Sequence, residues 1–113
     1  MPATIDFKQI LDDALALAKK ELGSTYKKLK PYAEHEFTQF AENTAFLAGL
    51  KLKGMITQEE LRLRLKLQKQ ALSNVLLAIQ GIGLVVAERI INGVLGIIAK
   101  AVKSTLKLAL PVI

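Results

Sequence analysis

"LRLRLKLQ", Leu61 to Gln68, alternates apolar and polar side chains without a break. A strand with one buried face has this period of two, and so does a helix carrying apolar residues on two opposite sides. Two features select the helix. Thr57 followed by Glu60 forms a capping-box pattern directly upstream. Leu, Arg, Lys and Gln are helix formers, and nothing in the stretch is β-branched or aromatic, the types that strands prefer. At about 100° per residue, Leu61, Leu65, Leu72, Val75, Leu76 and Ile79 share one face, whereas Leu63 and Leu67 lie nearly opposite. Arg62, Lys66, Lys69 and Ser73 form a polar stripe between them, and Arg64 and Gln68 fit neither set.

Upstream, two further helices are legible. Asp6 with Gln9 marks the start of the first, whose apolar positions Phe7, Ile10, Leu11, Ala14, Leu17, Ala18 and Leu22 recur at three and four, and Gly23 ends it. The second carries the seam Tyr26, Leu29, Ala33, Phe37, Phe40, Thr44 and Leu47, with Pro31 starting or kinking it and Gly54 closing it.

Downstream, Ala71 to Ala87 is a run of seventeen uncharged residues. A membrane span needs about 20 predominantly apolar residues; this run holds Ser73, Asn74, Gln80, Gly81 and Gly83, so a buried bundle helix broken at Gly81–Gly83 is the better expectation. Beyond it, Glu88, Arg89, Asn92, Gly96, Lys100, Lys103 and Lys107 fall on one side of a helix. Ile90, Ile91, Val94, Leu95, Ile97, Ile98, Ala101, Val102 and Leu108 fall on the other, and Pro111 is expected to stop it. The expected architecture is an all-α bundle of three to four helices with short connections, a single domain over residues 1–113.

Composition and charge narrow the function. The 113 residues are 51% hydrophobic but only 5% aromatic, so aliphatic side chains build the core. The chain has no cysteine, which excludes disulfides and thiolate chemistry. Its N-terminus has acidic residues within the apolar stretch and no basic leader, so no signal peptide is expected, and a cytoplasmic or membrane-associated location follows. The net charge of +6 is uneven. Residues 1–60 hold eight basic against nine acidic side chains, while residues 61–113 hold eight basic against Glu88 alone. A basic, apolar C-terminal half suits an anionic partner.

Catalytic constellations are not evident. His35 is the sole histidine, which rules out a histidine-rich metal site and suits a surface or capping role. Asp12 and Asp13 diverge on a helix, and "GIGLVV" at 81–86 has Val86 where a dinucleotide fingerprint needs glycine. No enzyme activity, cofactor, metal or small-molecule substrate is expected.

The leading expectation is a structural or interaction protein that forms homo-oligomers. Leu61, Leu65, Leu72, Val75, Ile79, Ile91, Val94 and Ile98 are its expected apolar association residues. Lys100, Lys103, Lys107, Arg62, Lys66 and Lys69 are the expected contacts to an anionic membrane surface. One alternative is a soluble component of a larger assembly with other proteins, such as a virion or secretion machine. Another is weak nucleic-acid binding through Arg62, Lys66 and Lys69, although Tyr26, Tyr32, Phe37, Phe40 and Phe46 suit a core seam better than base stacking.

Overall fold

The computed structural model describes residues 4–111 and Ile113. Among these residues all regular structure is helical: α1 (Phe7–Leu22), α2 (Tyr26–Leu52), α3 (Gln58–Leu77) and α4 (Leu84–Leu106), with a single 3-10 turn, Gly23–Thr25, between α1 and α2. The opening stretch lies within α3, so the helix reading holds.

Each boundary has a local cause. Asp6 accepts the Gln9 amide at 3.0 Å and starts α1. Thr57 accepts the Glu60 amide at 3.1 Å, the N-cap half of the expected capping box, and its hydroxyl donates to the Glu60 carboxylate at 3.5 Å; this cap launches α3. Gly54, at φ 72°, turns the chain after α2. Gly81, at φ 99°, does so between α3 and α4, where an added Cβ would sit 3.3 Å from Thr25 Cγ2.

The structure fixes three boundaries. Of the two places expected for Pro31, the start of α2 or a position within it, it takes the second, because the 3-10 turn already leads into the helix at Tyr26. α3 ends at Leu77, so Ile79 belongs to the following turn, its amide donating to the Leu76 carbonyl at 3.1 Å. α4 starts at Leu84 and ends at Leu106, before Pro111, because Lys107 takes a left-handed conformation whose amide closes on the Lys103 carbonyl.

α2 and α4 touch each other and both remaining helices, whereas α1 and α3 occupy opposite corners without meeting. The main core gathers Ile10, Ala14 and Ala18 of α1, Leu29, Ala33, Phe37 and Phe40 of α2, Leu72 and Leu76 of α3, and Ala87, Ile90, Ile91, Val94, Ile98 and Val102 of α4. Thr44, buried among these apolar groups, donates its hydroxyl to the Phe40 carbonyl at 2.8 Å, so its polarity is satisfied. A second, smaller cluster sits at the closed end of the α2–α3 hairpin: Leu47, Leu61 and Leu65, flanked by Leu50, Ile56, Leu108, Leu110 and Ile113.

Candidate interaction surfaces

The apolar residues expected to meet a partner require correction. Leu61, Leu65, Leu72, Ile91, Val94 and Ile98 are buried in the chain's own two cores, while Val75 and Ile79 are half-buried. The reason is topological. Four helices in one chain offer each other enough surface that the strongest seam of each turns inward.

What remains outside is the other side of the alternation. Leu63 is 47% and Leu67 71% exposed, so α3 buries one of its two apolar sides and presents the second. Phe46 of α2 is 64% exposed, and Tyr32 is also exposed, against the expectation that both belong to the core seam. The hairpin register relates them. Leu47 packs with Leu61 and Leu65, while Phe40, Asn43, Gln68, Ala71 and Leu72 line one groove between α2 and α3. Phe46, one turn beyond Asn43, therefore lies level with residues 64–67 along the hairpin. Phe46 of α2 and Leu63 and Leu67 of α3 are thus large apolar residues exposed on the same hairpin, on which Glu42 and Arg64 are exposed as well. A second exposed group, Leu77, Leu84 and Val85, lies where α3 passes to α4.

The expected cationic contacts divide. Arg62 is occupied: its guanidinium donates to Glu59 at 2.7 and 3.2 Å, which holds the Glu59 carboxyl below its usual range and raises the guanidinium's own pKa. Lys69 donates to the Ile113 carbonyl at 3.3 Å. Lys66 is exposed at the mouth of an α3–α4 groove of about 460 Å³ that Ser73, Leu77, Leu84 and Glu88 also line. Lys100 and Lys103 project from α4 into solvent. Lys107 is exposed too, but at the left-handed cap beyond the helix, so the three lysines do not continue one helical row. The apolar arc expected to enter a membrane beneath them is the Ile90–Val102 core face, already covered by α1 and α2.

Chemistry-bearing groups are dispersed. His35 is exposed on α2, in an open groove with Glu34, Thr38, Gln39 and Glu42. Among the described residues no three His, Asp or Glu side chains gather to hold a metal ion, and no helix is long and apolar enough to cross a membrane. Gln68, which the sequence could not place, buries its amide oxygen without a hydrogen-bond partner. No protein-family model, curated protein or solved structure matches this chain.

The sequence pattern missed Phe46 as a surface residue. A signal was present: Phe46 falls outside the Phe37, Phe40, Thr44, Leu47 seam, at a helical position shared with Glu42 and Asn43 rather than with the core.

Proposed function

We propose that the protein is a non-enzymatic helical interaction protein that associates with copies of itself through the outer side of the α2–α3 hairpin. The observation that carries this reading is the exposure of three large apolar side chains on one hairpin, Phe46 at 64%, Leu63 at 47% and Leu67 at 71%. Such a surface costs solubility unless something covers it, and rimmed apolar patches mark association sites. Glu42 and Arg64, both exposed on this hairpin, carry opposite charges that two copies can pair across a shared contact. The basic half of the chain then gives the assembly its affinity for anionic surfaces, with Lys66, Lys100 and Lys103 making no ion pair among the described residues. Nucleic-acid binding draws less support, because Arg62 and Lys69 are engaged within the chain and Lys66 stands alone on the stripe.

The test is the mass in solution at micromolar concentration. The wild type is expected above the monomer mass of 12.4 kDa, and Phe46→Gln with Leu67→Gln is expected to return it to the monomer with helicity unchanged. A monomeric wild type removes the self-association reading and leaves the alternative, in which other proteins of an assembly cover the same face.

A further inference from the structure

The two ends of the bundle differ electrically. Where α1 and α3 start, both N-termini are served: Asp6 caps α1, while Thr57 caps α3 and Glu59 and Glu60 lie in its first turn. At the other end, α2 and α4 start with no side-chain cap and no acidic residue in the first turn. α2 carries Lys27 and Lys28 there instead, against the sign of charge that a helix N-terminus favours.

Two connections meet at this end. The Lys28 ammonium donates to the Gln80 carbonyl at 3.3 Å and Thr25 lies beside Gly81, so the α1–α2 turn touches the α3–α4 turn. Lys19 and Lys20 close α1, and Lys27, Lys28 and Lys30 open α2. At the helical rise per residue, each lies within about 6 Å of its helix end. All five are exposed, none makes an ion pair among the described residues, and Glu21 is the one acidic residue from Lys19 to Lys30. Leu77 ends α3, and Leu84 and Val85 begin α4, exposed to 41%, 58% and 63%.

We propose that this end of the bundle docks on an anionic lipid surface, its lysines meeting the head groups while Leu84 and Val85 enter the boundary with the acyl chains. Lysines alone would suit any polyanion. A nucleic acid engages them but offers nothing to Leu84 and Val85, whereas a lipid interface takes cations and short aliphatic groups together. Anionic head groups also supply the negative charge that the start of α2 lacks. No helix has to leave the bundle, because Leu84 and Val85 already lie outside the core. The docking does not depend on association of copies: Phe46 and Leu63 lie toward the opposite, α2–α3 turn. It also draws on lysines of residues 1–60, the half of the chain whose charges nearly cancel.

The test is co-sedimentation of the full chain with vesicles of phosphatidylcholine alone and of phosphatidylcholine mixed with phosphatidylglycerol. The wild type is expected to sediment with the mixed vesicles only, and to be released by salt. Lys20→Gln, Lys27→Gln and Lys30→Gln together should weaken that binding on the order of a hundredfold, about fivefold for each lysine, and the same three changed to Arg should retain it. Lys28 stays in place to hold Gln80. Leu84→Gln with Val85→Gln should weaken binding roughly tenfold. Lys100→Gln, Lys103→Gln and Lys107→Gln remove equal charge from the opposite end and should cost a few-fold at most. Cooperative thermal unfolding checks that each variant is folded. Sedimentation with both vesicles alike, or with neither, overturns the proposal. So does a larger loss from the Lys100, Lys103 and Lys107 changes than from the Lys20, Lys27 and Lys30 changes. Binding that needs the lysines but is indifferent to Leu84 and Val85 marks a polyanion contact and overturns the bilayer as partner.

Discussion

Gln68 shows how a single residue can resist a sequence reading and still be explained by its surroundings. It sits between the buried and exposed leucines of α3, against α2, with an amide oxygen that is sealed from water and unbonded. A buried polar atom without a partner costs about 1–3 kcal/mol. Gln68→Leu is therefore expected to stabilise the fold by about 1 kcal/mol or more, read as a higher melting temperature; a lower one means the amide has a partner in solution. Glu59 and Arg62 make the opposite case, a pair fully satisfied but exposed. Because the folded-state pKa of Glu59 is lowered, its contribution is present above the ordinary carboxylate range and lost as pH falls through the lowered value. Glu59→Gln should melt slightly below wild type at neutral pH, and the two curves should converge in acid. The Thr57 cap on the Glu60 amide was legible because two residues three apart suffice to state it. Gln68 was not, because its burial depends on how close α2 comes.

At the level of helices, the seams were readable and the covers were not. Periodicity identified Ile10, Ala14 and Ala18 on α1, the Leu29 to Leu47 seam on α2 and the Ile90 to Val102 face on α4, since a 3.6-residue repeat is a property of one segment. Which of two apolar sides of α3 turns inward depends on neighbours far away in sequence, so Leu61 and Leu63 were indistinguishable until the bundle was assembled. Likewise, nothing in "STLKLAL" announces that Lys107 reverses the chain and that Leu108 and Leu110 leave the helix. Glycines on α4 offer a direct test of how closely helices approach. An added methyl at Gly93 would run into the Leu17 side chain of α1, whereas at Gly96 nothing lies within 4 Å. Alanine gains roughly 1 kcal/mol over glycine within a helix. Gly96→Ala should show that gain in denaturant unfolding, and Gly93→Ala should lose it to the displacement of Leu17. Placing both changes in a Leu17→Ala background should equalise them, and if Gly93→Ala already matches Gly96→Ala, α1 and α4 are further apart than described.

The whole molecule measures 43 × 30 × 18 Å, two helix layers in its thinnest direction. A body this flat has much surface for its volume, which is why apolar residues such as Phe46, Leu67 and Leu84 remain outside even though each helix buries a full seam. The same geometry constrains how the charge of residues 61–113 can act. An amphipathic helix binds a membrane by inserting its apolar arc while its cations meet the head groups. Here the arc of α4 is core, so the folded chain can offer Lys100, Lys103 and Lys107 to an anionic surface but not the arc beneath them. If the folded chain binds vesicles of anionic lipid through these lysines, the expected attraction is electrostatic alone. Each basic residue near such a surface contributes about 1 kcal/mol, so replacing all three lysines with Gln should weaken binding by roughly 3 kcal/mol. Helicity should not change, because Gln is also a good helix former. Salt separates the two mechanisms, since the screening length falls from about 10 Å at 0.1 M to about 3 Å at 1 M. A co-sedimentation assay should find the wild type released from the vesicles at the higher salt. Retention there, accompanied by loss of cooperative unfolding, would mean that α4 leaves the bundle to insert, and the Ile90–Val102 face would have to be reassigned from core to membrane contact.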